Sequence, residues 1–248
     1  MKFSRNMSIF HANKTPRDKA YCKRSMLIKC AQCGLCYIDG NTIGQKLHAR
    51  YHRNAINGIR VGSQRELELF GKVIEKFTIK VGKMGSIIEA NINSRKVQKI
   101  LDEVLQAANL VLNSQDHMKR WHGKTKFKGK VFVCIYRARI IGICITETPQ
   151  IGYWMIQGSN ILVPNKNPKL AIGIDRIFVV KTFRRHGIAT RLLNAVANHS
   201  FYKLKLRPYQ IGWSQPSHFG EFVARKYSGV VHPRSGKVLI PVYKQEDV

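Results

Sequence analysis

The chain has 248 residues, 44% of them hydrophobic and 9% aromatic, which is enough apolar material for a packed core and excludes disorder throughout. Against 43 Lys+Arg stand 14 Asp+Glu, a formal net charge of +29 that points to polyanionic partners such as nucleic acid or chromatin. No apolar run reaches the ~18 residues of a membrane-spanning helix, so no membrane role is expected. Six cysteines are too few for a disulfide scaffold in a chain this long.

The opening MKFSRNMSIFHANK is basic and lacks the apolar core of a secretory signal. Residues 1–25, polar and basic with Pro16, read as a basic flexible arm. A compact Cys/His segment occupies 26–53. Residues 54–85 carry Gly58, Gly62, Gly71, Gly82 and Gly85 and read as a connector with one strand over 73–81. From 86 to 248 the pattern is globular. Ser94 is the expected N-cap of a helix in which Val97, Leu101, Val104, Leu105, Ala108 and Leu112 recur at helical spacing. KVFVCIYR (130–137) and IIGICITE (140–147) predict a hairpin. GIDRIFVV (173–180) predicts a buried strand, followed by a turn containing Gly187 and a helix from Ile188. YQIGWS then predicts a strand, FGEFVARKYSG a helix ending at Gly229, and KVLIPVY a last strand.

The Cys/His segment holds a metal-site pattern: Cys30 and Cys33 two residues apart, then His48 and His52 at i and i+4 on one helix face. Two thiolates on a turn and two imidazoles on a helix supply the closed tetrahedral shell of structural Zn2+, with no open position for catalysis. Cys36 is read as a small packing residue, and Leu35 and Leu47 as the finger's mini-core. Lys46, Arg50 and Arg53 face phosphates in this reading. A single finger gives weak base readout, so docking or general nucleic-acid contact is expected.

Arg184-Arg185-His186-Gly187-Ile188-Ala189 has the form Arg-x-x-Gly-x-Ala between a strand and a helix. Small residues at 187 and 189 let the backbone approach a ligand, and the helix N-terminus favours a pyrophosphate.

In this turn the chain resembles the GCN5-related N-acetyltransferase superfamily. GIDRIFVVKTFRRHGIATRLL, WSQPSHFGEFVARKYSG and SGKVLIPVY, together with the single N-terminal finger, narrow this to the yeast-type sister-chromatid cohesion acetyltransferases. The similar segments run over about 26–53 and 86–243. The resemblance implies an α/β fold, a mixed sheet flanked by helices and preceded by a small C2H2-like zinc finger. It implies a nuclear enzyme that moves an acetyl group from acetyl-CoA to lysines of the cohesin ATPase-head subunit during DNA replication. Chromatin and the replication sliding clamp are the further partners it implies. By the family pattern Ile177, Phe178 and Val179 line the acetyl and pantetheine arm. Arg185, His186, Gly187, Ile188, Ala189 and Thr190 wrap the pyrophosphate, and Ser217, His218 and Phe219 close over the cofactor.

A lysine amine with a pKa of ~10.4 costs about 4.6 kcal/mol to deprotonate at pH 7, so a base is needed. Between Asp116 and Glu246 the carboxylates are Glu147, Asp175 and Glu221. Asp175 is the first candidate base and Glu147 the second; Glu221 reads as part of a solvated helix face. Both candidates have a structural alternative as partners of arginine, Arg176 being adjacent to Asp175. By resemblance, the vertebrate branch has serine at the Asp175 position and an acidic residue at the Gln215 position, so the carboxylate has changed strands or Gln215 positions substrate. Tyr227 corresponds to a tyrosine that protonates the leaving thiolate in many superfamily members; its alternative is packing under the sheet. The competing readings of the whole chain are a basic zinc-finger nucleic-acid-binding protein with a non-catalytic acetyltransferase-like domain, and an acetyltransferase for another protein or a small amine.

Overall fold

The structure is a computed structural model that describes residues 27–38, 41–80, 82–112, 127–164, 166–214 and 216–244. The expected arm at 1–25 lies outside them. The chain divides into two units, Met1–Ala49 and Arg50–Val248, and the division falls inside a helix.

In the first unit β1 (Leu27–Lys29) pairs antiparallel with β2 (Cys36–Ile38), and α1 (Thr42–Asn57) follows. Asn41 starts that helix: its Oδ1 accepts the Ile43 and Gly44 N–H groups at 3.0 and 3.2 Å. Those are two of the donors that a helix start leaves without intrahelical partners.

The second unit takes in α1 from Arg50 and continues with β3 (Ile59–Arg60), α2 (Gln64–Phe70), β4 (Gly71–Lys80) and β5 (Lys83–Ala90). The stretch expected as a connector with one strand over 73–81 builds sheet: β4 answers that strand and pairs along its length with β5, and β5 pairs with the strand Val131–Tyr136. Gly58, Gly71 and Gly82 sit at strand ends and the β4–β5 turn, Gly62 beside Glu66 of α2 and Gly85 within β5 opposite Phe77, while Phe77, Ile79 and Ile87 enter the core. A capping box starts α2, with Ser63 Oγ accepting from the Glu66 N–H and the Glu66 carboxylate from the Ser63 N–H.

Next come α3 (Arg95–Leu112), β6 (Val131–Tyr136) and β7 (Arg139–Glu147). The expected hairpin forms, its turn made by Arg137 and Ala138 at φ 47° and 54°. Two left-handed residues match the twist of the strands they join. The remaining elements are β8 (Gly152–Ile156), β9 (Leu162–Val163), β10 (Ile172–Val179), α4 (Ile188–His199), β11 (Ile211–Trp213), α5 (His218–Ser228), β12 (Val230–Val231) and β13 (Val238–Tyr243).

Among the described residues the large sheet has eleven strands, and its main path runs β4-β5-β6-β7-β10-β11-β13-β8-β9. It is mixed: β10 runs parallel to β11, and β11 to β13, while the other pairs on the path are antiparallel. Alternation along the strands feeds two cores. Val131, Val133, Ile143 and Ile145 meet Val97, Leu101, Val104 and Ala108 of α3 on one face. Phe132, Cys134 and Cys144 meet Leu192, Leu193 and Val196 of α4 on the other. Each such aliphatic side chain contributes ~1.5–3 kcal/mol on burial. Trp213 Nε1 donates to the buried Ser228 Oγ at 3.1 Å, tying α5 to β11. This is the mixed α/β architecture expected. No described helix is long and apolar enough to cross a membrane.

Candidate active site and metal centre

The turn between β1 and β2 is built around Cys30. Its carbonyl accepts the Gly34 N–H at 2.8 Å, its own N–H donates to Leu35 O at 2.9 Å, and Gly34 takes φ 78°. The ligand atoms of Cys30, Cys33, His48 and His52 all lie within 4.8 Å of one another. Cys33 Sγ is 3.4 Å from His48 Nε2. A tetrahedral zinc with Zn–S ~2.3 Å and Zn–N ~2.05 Å sets sulfur and nitrogen about 3.6 Å apart, so the donor set fits the ion. The Cys33 backbone N–H draws the Cys30 thiol down to about 6, whereas burial raises that of Cys33. Tyr37 stacks on His48 with ring centroids 4.1 Å apart. Two expectations are corrected. Leu47 is 58% exposed and no residue of α1 is buried, so Leu35 and Leu47 do not form a mini-core; a segment this short has too little interior for one. Cys36 is exposed on β2 instead of packed.

The second site begins where β10 leaves β11. Their pairing covers Ile172, Gly173 and Ile174 only, although β10 continues to Val179, so the two strands fork. Asp175 stands at the crotch. Against β7 the register passes from Ile174↔Thr146 to Arg176↔Ile145, leaving Asp175 as the extra residue of a β-bulge. Ser214 closes the fork, its N–H donating to Ile174 O at 3.0 Å and its hydroxyl to Asp175 O at 2.8 Å.

Beyond Val179 the chain enters the expected turn. Arg185 at φ 65° and Gly187 at φ 76° are both left-handed, separated by one residue. Backbone that turns in this way aims N–H groups at a common point and makes an anion-binding concavity. A Cβ at Gly187 would meet open space, so it is the backbone angle that requires glycine there. Arg185 holds its left-handed angle at a cost of about 1–3 kcal/mol, which is the kind of strain kept at ligand sites. Unlike α2 and α5, α4 has no side-chain cap, so its first N–H groups face the concavity. His186 Nδ1 is buried without a partner among the described residues. Arg184 is structural: its Nε donates to Val179 O at 2.9 Å and its guanidinium lies over Phe178.

The remaining expected residues fall as follows. Ile177 packs on the α4 side of the sheet, but the Phe178 ring is buried on the α3 side. Ile188 is buried, while Arg185 and Thr190 are exposed. Ser217 caps α5, its hydroxyl accepting the Gly220 N–H at 3.2 Å. His218 lies edge-on to Phe219 and Phe222, both exposed. A cleft of about 380 Å³ opens beside them, lined also by Pro216, Glu221, Gln157, Gly158 and Asn160. Glu221 is not merely solvated, since it accepts the Gly158 N–H from the β8–β9 turn. That partner is 63 residues away in sequence, beyond the reach of any local pattern. Gln215 lies outside the described residues.

The Asp175 side chain is wholly buried, with Oδ1 3.0 Å from the Arg176 guanidinium. Glu147 accepts the Tyr243 hydroxyl at 2.7 Å. The sequence marks KVLIPVY as a last strand and as part of the family resemblance, but nothing local in it points to Tyr243 as a member of the polar cluster. Tyr227 donates to Asn194 Oδ1 at 3.0 Å, and burial, then Cys144, pushes its phenol up to about 12.

A family model described as "ESCO1/2 acetyl-transferase" matches residues 168–236, which span β10, the turn, α4, β11 and α5. The N-acetyltransferase ECO1 of Debaryomyces hansenii is 32% identical over 242 residues, covering 88% of this chain and 82% of that protein. The chain belongs to the ECO1 family of N-acetyltransferases. ECO1 of Saccharomyces cerevisiae is 29% identical over 254 residues, covering 89% of this chain and 90% of its own. ESCO2 of Mus musculus is 28% identical over 207 residues, covering 80% of this chain and 33% of that protein. The xEco2 acetyltransferase domain, solved bound to a CoA conjugate, superposes with a TM-score of 0.55 at 22% identity, covering 71% of this chain and 99% of that one. At that identity the likeness is one of fold, and it places the ECO1-family chain on the acetyltransferase architecture.

Proposed function

We propose that this ECO1-family chain uses acetyl-CoA to acetylate lysines of the cohesin ATPase-head subunit, in the nucleus during DNA replication, and so establishes sister-chromatid cohesion. The observation that carries the reading is the continuity of β10: a fork at Ile174, a bulge at Asp175, then a left-handed turn and an uncapped helix. A ligand with a reactive acyl end and a pyrophosphate further along its length fits that sequence of features. Acetyl-CoA supplies the activated acetyl group and a thiol leaving group.

Main-chain groups of Ile177, Phe178 and Val179 hold the extended arm, Phe178 by backbone alone because its ring is committed to the other core. The N–H groups of the 185–190 turn bind the pyrophosphate. Ser217, His218 and Phe219 border the far side. Asp175, at the crotch, takes the proton from the substrate amine, directly or through one water. Glu147 is the second candidate base. Tyr227, held protonated by burial, donates toward the departing thiolate. Structural zinc orders the finger over 26–53, and the positive surface supports nonspecific contact with DNA. The replication sliding clamp is a further partner in this reading.

The test is incubation with labelled acetyl-CoA and purified cohesin heads, followed by mapping of the modified residues. Label on head lysines is the expected result. Label on the enzyme or on free amines alone would redirect the substrate assignment.

A further inference from the structure

Between α4 and β11 the chain makes an excursion that none of the roles above uses. It is firmly anchored. Leu206 is buried and its N–H donates to Ala197 O at 2.8 Å, Lys130 Nζ donates to His199 O at 2.6 Å, and Phe201 bridges to Leu204 across a tight turn. Lys203, within that turn, takes φ 54°. What this scaffold presents outward is unusual for a surface: Tyr202 is 88% exposed, Leu204 54%, Phe201 41% and Tyr209 40%. Cations alternate with them. Lys203 Nζ is 5.2 Å from the Tyr202 ring centroid, Lys205 is exposed, and Arg207 Nη1 donates to the Tyr209 hydroxyl at 3.1 Å. The sequence holds no Asp or Glu from residue 176 to 220.

We propose that the 201–209 turn is a binding site for single-stranded nucleic acid, with bases stacked on Tyr202 and Tyr209 and phosphates on Lys203, Lys205 and Arg207. Outward rings on an anchored turn, with cations beside them, are the chemistry of a base-stacking platform, since every base has a π-face and every linkage a charge. An acidic peptide would satisfy the cations and leave an 88% exposed ring without a planar partner. A duplex keeps its bases stacked on one another and offers the rings nothing. The site does not depend on the acetyl-transfer reading. Twelve residues of α4, about 18 Å of helix, separate the turn from Gly187, so both ends of that helix can be occupied together.

The experiment measures binding of the full chain to fluorescent oligo-dT, to a duplex of equal length and to a poly-Glu peptide over a range of salt. Tyr202→Ala weakens oligo-dT binding about fivefold or more with an unchanged salt slope, and Tyr202→Phe restores it. Lys205→Gln lowers the slope by about 0.7. Photo-crosslinking of a bromodeoxyuridine oligonucleotide labels the peptide carrying Tyr202 or Tyr209, which reads this turn apart from the remaining positive surface. An unlabelled 201–209 peptide, equal losses on duplex and oligo-dT, or poly-Glu outcompeting oligo-dT in a Tyr202-dependent way would each overturn the proposal.

Discussion

The Tyr243 hydroxyl donates to Glu147 Oε1 at 2.7 Å, joining residues 96 positions apart at the closed end of the fork between β10 and β11. The ring lies against Gly173, where a Cβ would sit 2.5 Å from the Tyr243 Cε1. Burial first, and the Glu147 carboxylate second, push this phenol well above the usual tyrosine range. Tyr243 therefore stays a donor at every physiological pH, and Glu147 is a partnered carboxylate.

That packing makes Gly173→Ala a stability variant. Overpacking at a fixed ring costs typically ~1–3 kcal/mol, and urea unfolding should register a lower midpoint. Tyr243→Phe, which leaves the Glu147 carboxylate short of a donor, should cost about as much. An unchanged midpoint in Gly173→Ala would mean the ring is free to move aside.

Asp175→Asn keeps the shape at the bulge and removes the basicity. If Asp175 takes the lysine proton, turnover falls by about 10²–10⁴ while the KM for acetyl-CoA barely changes. If the residue only partners Arg176, thermal stability drops and turnover stays near normal. Steady-state kinetics beside a melting curve separate the two, and Glu147→Gln is the next variant in the second case.

At Gly187 two substitutions distinguish angle from charge. Gly187→Ala meets no neighbour but must hold a left-handed φ, a penalty of roughly 1–2 kcal/mol. Gly187→Asp adds a negative charge beside the pyrophosphate and should weaken acetyl-CoA by tenfold or more, about 1.4 kcal/mol. Calorimetric titration that finds wild-type affinity in Gly187→Asp would remove the turn from the cofactor site.

Tyr227 gives a pH signature. Its folded value, about 12, lies above the ~10 of an unfolded tyrosine, so the folded state holds the proton more tightly. The resulting stabilisation is complete below pH ~10 and is lost as pH rises toward about 12. Wild type should therefore lose more stability than Tyr227→Phe across that window. Parallel alkaline denaturation curves would show that the phenol is not buried in solution.

Metal analysis of protein purified without chelator should find one zinc per chain. Cys30→Ala should release it and unfold the finger, while the cooperative melt of the sheet domain persists. Full secondary structure in the finger after metal removal would assign its stability elsewhere.

Periodicity made α3, the β6–β7 hairpin, β10 and α4 readable, because each is buried on a face that its apolar residues mark out. The capping box at Ser63 and Glu66 was equally present in the sequence and went unread among the glycines around it. β4 answers the strand expected over 73–81, whereas β5 was obscured by the glycines beside it: its pairing with β4 and β6, not its own alternation, makes it a strand. In the candidate site, the Arg-x-x-Gly-x-Ala turn is local and was legible. The contacts Tyr243–Glu147 and Glu221–Gly158 depend on a chain crossover that carries β8 and β9 beyond β13, and no local spacing encodes that.

The bulge at Asp175 also governs which residue lengths this strand tolerates. Ile172 and Ile174 point to the α4 side, and past the extra residue it is the odd-numbered Ile177 and Val179 that do so, while Phe178 and Val180 point to α3. Without the bulge, unbroken alternation from Ile174 would carry the Phe178 ring to the α4 side and Ile177 to the opposite core; setting one residue aside is what returns each to its own face. A chain lacking residue 175 should therefore keep both cores and the pairing of β10 with β7, and lose only the carboxylate at the crotch: it should fold with near-normal stability and lack whatever chemistry Asp175 supplies.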